Sequence, residues 1–123
     1  MIKSTDRSLM KEIKAIIQPF MLSKVISALK ELEGLPGVTV DMSVHGFGKG
    51  RAAEAPGRIV EDFVEYVPKV KLEIVVPATL VERVVDAIQK NAHTGNPGDG
   101  KIFVYDVEEV VKIRTGERGE TAI

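Results

Sequence analysis

Residues 94–116 read TGNPGDGKIFVYDVEEVVKIRTG, from Thr94 to Gly116. The stretch opens on Thr94-Gly95-Asn96-Pro97-Gly98-Asp99-Gly100. Glycine and proline at this density exclude the interior of a helix or strand. An apolar run follows, Ile102-Phe103-Val104-Tyr105, which reads as a buried strand. A second β-branched run, Val110-Val111-Lys112-Ile113-Arg114, reads as another. Cations stand at Lys101, Lys112 and Arg114, near the ends of these runs. Glycines allow backbone N–H groups to line one concavity and a ligand to come close. With three cations nearby, the loop reads as an anion site, most naturally for phosphates. The plain alternative is a helix-to-strand turn whose glycines serve geometry alone.

Gly95 to Lys101 fits the front of a Walker A loop, G-x-x-x-x-G-K. The next residue should be Ser or Thr to hold magnesium, and it is Ile102. The order is also inverted, because this loop leaves a helical segment and enters a strand. A P-loop NTPase is excluded.

Working back toward the N-terminus, the loop is preceded by an amphipathic helix over Thr79–Ala92. Val81, Val84, Val85 and Ile88 form its apolar stripe, and Thr79 with Glu82 suggests a capping box. Before it, Tyr66–Pro77 is the strongest strand, with Lys69, Lys71 and Glu73 alternating against apolar neighbours. The stretch from Gly46 to Glu65 is too long for an ordinary hairpin connection of about 2–5 residues and reads as an exposed partner loop. Its acidic cluster, Glu61, Asp62 and Glu65, is a solvated face or a partner contact. Earlier still come a strand over Val38–His45 and a helix over Met21–Glu33, with Leu22, Val25, Ile26, Leu29 and Leu32 in phase. The first strand, Lys11–Ile17, shows Ile13, Ala15 and Ile17 in alternation. Residues 1–9 are polar and patternless and read as a flexible tail, with one domain over 10–123.

The order strand–helix–strand, long loop, strand–helix–strand predicts an α+β fold. It is a ferredoxin-like βαββαβ sandwich with an extra C-terminal strand and both helices on one face of an antiparallel sheet. The other face is left open, and self-association would cover it.

Composition narrows the function classes. The 123 residues suffice for one domain, and 44% hydrophobic with 28% charged is ordinary globular usage. A formal charge of −1 offers no bulk attraction to nucleic acid or to an anionic membrane. Without cysteine there is no disulfide framework, thiolate metal site or cysteine nucleophile, which suits the cytoplasm. No apolar run is long enough to insert into a membrane. His45 and His93, the two histidines, are isolated and read as surface or hydrogen-bonding residues. Phe103 and Tyr105 read as packing rather than an RNA-binding platform.

Taken together the residues resemble the PII signal-transduction family over about Met10–Ile123. The resemblance rests on Ala15-Ile16-Ile17 with Pro19-Phe20, on Gly37-Val38-Thr39-Val40, on Gly46-Phe47-Gly48 and on the run Pro68 to Pro77. It continues through Thr94-Gly95, Gly98 to Val104, Ile113 to Glu117 and the closing Ala122-Ile123. It implies a homotrimer with ATP or ADP in clefts between subunits, and a regulator of a transporter or enzyme rather than a catalyst. Its T-loop would be Lys49–Pro68, its B-loop Thr94–Lys101 and its C-loop the tail after Arg114. By position Gly98, Gly100, Lys101 and Arg114 would hold phosphates. Lys112 stands where the family often has arginine. Thr39, Gly48, Val75 and Pro97 would surround base and ribose, Glu73 would lie near the nucleotide and Lys69 near the phosphates or a bound acid. Gly46, Lys49 and Asp99 complete the nucleotide set. Ile59, Val60, Glu61, Asp62 and Phe63 would form the partner patch. Magnesium is compatible with the phosphates. Gly50 stands where the family has a glutamine that ligates magnesium and 2-oxoglutarate, so tight 2-oxoglutarate coupling is not expected. The uridylylated tyrosine of some members would fall near Asp62. The rival classes are a small ferredoxin-like phosphohydrolase and a structural or metal-binding trimer without nucleotide.

Overall fold

The structure, a computed structural model, describes residues 9–47 and 66–123. Strand β1 spans Met10–Ile17; after Gln18, Pro19 opens a 3₁₀ turn, Pro19–Met21, leading into helix α1, Leu22–Lys30. Strand β2 spans Thr39–Gly46 and β3 spans Val67–Pro77. A second 3₁₀ turn, Ala78–Leu80, leads into helix α2, Val81–Ala92, and β4 spans Lys101–Asp106. The four strands form one antiparallel sheet in the order β2-β3-β1-β4. That order with two helices on one face is the expected ferredoxin-like sandwich.

Alternation decides the faces. Ile13, Ala15 and Ile17 of β1 and Val70, Leu72, Ile74 and Val76 of β3 are buried beneath the helices. Val25 and Leu29 of α1 and Val84, Ile88 and Ala92 of α2 close the core from above. Each of the valine, leucine and isoleucine side chains contributes on the order of 1.5–3 kcal/mol by leaving water, so the interleaved strand pattern and the helical stripe specify the same layer.

The opposite face is laid out by register. Thr39, Glu73, Lys14 and Phe103 form one row across the four strands, and Asp41, Lys71, Ile16 and Lys101 form the next. Lys14 lies over the Tyr105 ring at 5.1 Å on this face. Both edge strands carry exposed apolar side chains, Val40 and Met42 on β2 and Phe103, Val104 and Tyr105 on β4.

Three local expectations are corrected. Ile102–Tyr105 is a strand but not a buried one: it lies at the sheet edge, with Phe103, Val104 and Tyr105 exposed in the single chain. Val110–Arg114 is not a strand: within one chain neither sheet edge pairs with it, and it makes a single antiparallel bridge, Val111 to Arg118. The Thr79–Glu82 capping box does not form, because the chain already turns as 3₁₀ over Ala78–Leu80 and makes Leu80 the cap, with no side-chain bond. A capping side chain needs an extended cap residue, which this turn does not supply. Strand β2 also carries a bulge between Asp41 and Val44, where Asp41 accepts from the Ser43 N–H at 2.9 Å and hydroxyl at 2.7 Å. Those bonds hold the Asp41 carboxyl below its ordinary value.

Candidate functional site

The glycine loop sits where β1 ends and β4 begins, and its frame is the Asp99 carboxylate. One oxygen accepts the backbone N–H of Thr94 at 2.7 Å and of Gly95 at 2.9 Å. The other accepts the Thr94 hydroxyl and the Gln18 amide, the latter at 3.2 Å. The Thr94 oxygen in turn accepts the Asn96 N–H at 3.1 Å. Bonds from Thr94, first its hydroxyl and then its backbone N–H, hold the Asp99 carboxyl well below the usual carboxylate range. Asp99 is therefore an ionised acceptor facing into its own loop, not an acid–base group.

Two further ties fix the loop from outside. Lys69 of β3 donates from Nζ to the Gly98 carbonyl at 3.1 Å, reaching past the end of β1. Gly100 has φ +106°, and a Cβ built on it would lie 1.7 Å from the Ile16 carbonyl oxygen. The glycine is thus demanded by the approach of this strand to β1. Gly98 also has positive φ, +98°, with Asp99 between the two on the negative side. Glycines of positive φ on either side of Asp99 let the backbone curl tightly here, as a loop that presents amides to an anion requires. Lys101 then enters β4 opposite Ile16 and is exposed beside the loop.

The remaining expected site residues fall in separate places. Thr39, Glu73 and Val75 lie on the open face of the sheet, Thr39 directly opposite Glu73. Gly46 ends β2 opposite Val67, and Pro97 is exposed in the loop. Lys112 and Arg114 belong to a turn over residues 110–119, closed by Lys112 N–H to Glu117 O, Gly116 N–H to Lys112 O and Gly119 N–H to Val110 O. Gly48, Lys49 and the whole patch Ile59, Val60, Glu61, Asp62 and Phe63 lie outside the described residues. At the mouth of that segment Phe47 and Tyr66 meet edge to face, ring centroids 5.3 Å apart. Pro68, placed in the long loop by resemblance, is in the β3 ladder opposite His45.

Gln18 was not among the sequence candidates. It is 81 residues from Asp99 along the chain, and only the antiparallel return of β4 alongside β1 brings the two together. The Asp-Gly-Lys spacing suggested a phosphate loop, but no pattern tells which residue braces it.

The family model for nitrogen regulatory protein P-II matches residues 10–117 of this chain. The chain belongs to the P-II family. Nitrogen regulatory protein P-II of Azospirillum brasilense is 53% identical over 114 residues, covering 93% of this chain and all of the relative. Nitrogen regulatory protein P-II 1 of Escherichia coli K12 is 50% identical over the same length. Among solved structures, Arabidopsis thaliana PII bound to citrate superposes with a TM-score of 0.75 at 42% identity, covering 94% of this chain and 92% of that one. A Bacillus subtilis GlnK–ATP complex gives 0.74 at 29%, covering 94% and 97%. As a P-II protein the chain is a signalling regulator of target proteins, and the glycine loop, sheet face and C-terminal turn are its parts to be assigned.

Proposed function

We propose that this P-II protein is a cytoplasmic homotrimer that binds ATP or ADP in the clefts between subunits and reports occupancy to a target protein through residues 49–66. The observation that carries the reading is the Thr94–Lys101 loop: it is framed from within by Asp99, tied to β3 by Lys69, and flanked by Lys101. A loop held this way is organised before any ligand arrives, which lowers the ordering cost of binding. The solved GlnK–ATP complex, of the same fold at 29% identity, supports nucleotide as the ligand. In this reading Gly98 and Gly100 present backbone to the phosphates, Lys101 and Lys69 supply charge, and Thr39, Glu73, Val75 and Pro97 surround the nucleoside. Lys112 and Arg114 reach the phosphates from a neighbouring subunit.

Exposed apolar groups support the trimer. Phe103, Val104 and Tyr105 on β4, Met42 on β2 and the fully exposed Ile113 on the 110–119 turn are the groups an assembly would cover. A target-regulating role fits better than hydrolysis, since the one acidic side chain of the loop is consumed by four internal donors. The target is a transporter or an enzyme. Gly50 offers no side-chain oxygen to magnesium, so 2-oxoglutarate couples weakly to nucleotide here.

Calorimetry with ATP and ADP tests the reading. Lys101→Ala and Arg114→Ala each remove a charge-assisted contact of roughly 1.5–3 kcal/mol, so each should weaken nucleotide binding about ten- to a hundred-fold. Arg114→Ala binding as tightly as wild type would show that the 110–119 turn does not reach the nucleotide.

A further inference from the structure

The turn over 110–119 carries three cations that are not equivalent. Arg118 is paired with Glu109 at 2.8 Å. Lys112 stands 3.7 Å from Glu117, both side chains about two-fifths exposed. Arg114, between them, is exposed and has no partner among the described residues. The Lys112–Glu117 pair is not a chance meeting of two long side chains. The Lys112 N–H donates to the Glu117 carbonyl at 2.8 Å, and Gly116 donates back to the Lys112 carbonyl at 2.7 Å. These bonds set residue 117 opposite residue 112 whatever the side chains do.

We propose that Glu117 is a built-in counter-ion to Lys112 that lowers nucleotide affinity. This rests on the reading that the turn contributes cations to a phosphate site. An incoming phosphate must then take Lys112 from a carboxylate that the backbone keeps in place, whereas it meets Arg114 unopposed. Arginine at position 112 would offer a planar fork able to serve carboxylate and phosphate together. Lysine offers one compact charge that is either shared or surrendered. The pair is half in water, so the penalty is modest, and its effect is to set the nucleotide concentration at which the cleft fills.

The expected result is a gain of function. Glu117→Gln keeps the backbone bonds and the side-chain volume but frees Lys112. It should tighten ATP binding by about two- to five-fold, the range given by partly exposed ion pairs, and ADP binding by no more than that. A double-mutant cycle locates the cause: in a Lys112→Gln background the Glu117→Gln change should do nothing, and in an Arg114→Gln background it should still tighten binding. The inference is overturned if Glu117→Gln binds like wild type, or if the gain persists without Lys112, which would make Glu117 a general repulsive charge. Failure of the underlying reading looks different: wild type itself would not bind ATP, or Lys112→Gln would leave its affinity unchanged.

Discussion

Gly100→Ala should be among the most damaging single substitutions in this chain. The added Cβ would sit 1.7 Å from the Ile16 carbonyl oxygen, inside any permitted contact, and the φ of +106° is one that alanine rarely adopts. Backbone strain of about 1–3 kcal/mol adds to about 1–3 kcal/mol for forcing apart packed neighbours. A loss of about 2–6 kcal/mol is a large share of the roughly 5–15 kcal/mol that holds a domain together. Relief requires β4 to move away from β1 at the Ile16–Lys101 pair, which also carries Lys101 away from the loop. Thermal unfolding should show the loss, and nucleotide binding should fall with it. Gly95→Ala is the control. Its φ is +93°, but the nearest atoms to a new Cβ are on the His93 ring at 3.8 Å, so only the strain term of about 1–3 kcal/mol applies. Equal damage at the two positions would show that the approach to β1 is not what requires glycine at 100.

Asp99→Ala should act on the loop more than on the core. It strands the backbone N–H groups of Thr94 and Gly95, the Thr94 hydroxyl and the Gln18 amide. Hydrogen bonds to a charged group are worth about 1.5–3 kcal/mol in such tests, and water at the exposed side of the loop replaces part of them. Stability should drop by about 2–3 kcal/mol on that basis, while ATP affinity falls about ten- to a hundred-fold because the loop must be ordered on binding. Asp99→Asn should be milder, since its amide can face Gln18 and Thr94 oxygens, both able to accept. The depressed carboxyl also fixes a pH dependence. A group whose folded value lies below its unfolded value of 3.8 contributes stability that is complete above that value. The contribution is lost as pH falls from there toward the folded value. The stability gap between wild type and Asp99→Asn should therefore be constant near neutrality and shrink below about pH 4. A gap that stays constant down to about pH 2 would show that the carboxylate is not held by these donors.

These two residues also mark where reading the chain succeeds and where it stops. The sheet and helices follow from periodicity: Ile13, Ala15 and Ile17 alternate, Val84 and Ile88 repeat at helical spacing, and both sets are buried together. The loop was visible as a phosphate candidate because glycine, proline and charge are local signals. What Asp99 does is only partly local: Thr94 and Gly95 lie within its own loop, but Gln18 arrives through tertiary pairing. The reason for Gly100 likewise belongs to another strand, 84 residues back at Ile16. Val110–Arg114 shows the opposite failure: its β-branched run is real, but a strand exists only where an edge accepts it, and within one chain none does. Thr79 failed because capping depends on the backbone entering the helix extended, and Pro77 is followed at once by a tight turn. The edge-to-face contact of Phe47 and Tyr66 needed β2 and β3 to be in register.

In the proposed reading nucleotide is held by an assembly, with the loop of one subunit facing the 110–119 turn of another. Sedimentation velocity with absorbance detection of ATP, at micromolar protein, tests both halves in one run. The expected result is a single species of three chains that carries ATP at one nucleotide per chain, and an Arg114→Ala protein that sediments identically while leaving ATP behind. A protein that sediments as one chain and still carries ATP would contradict it.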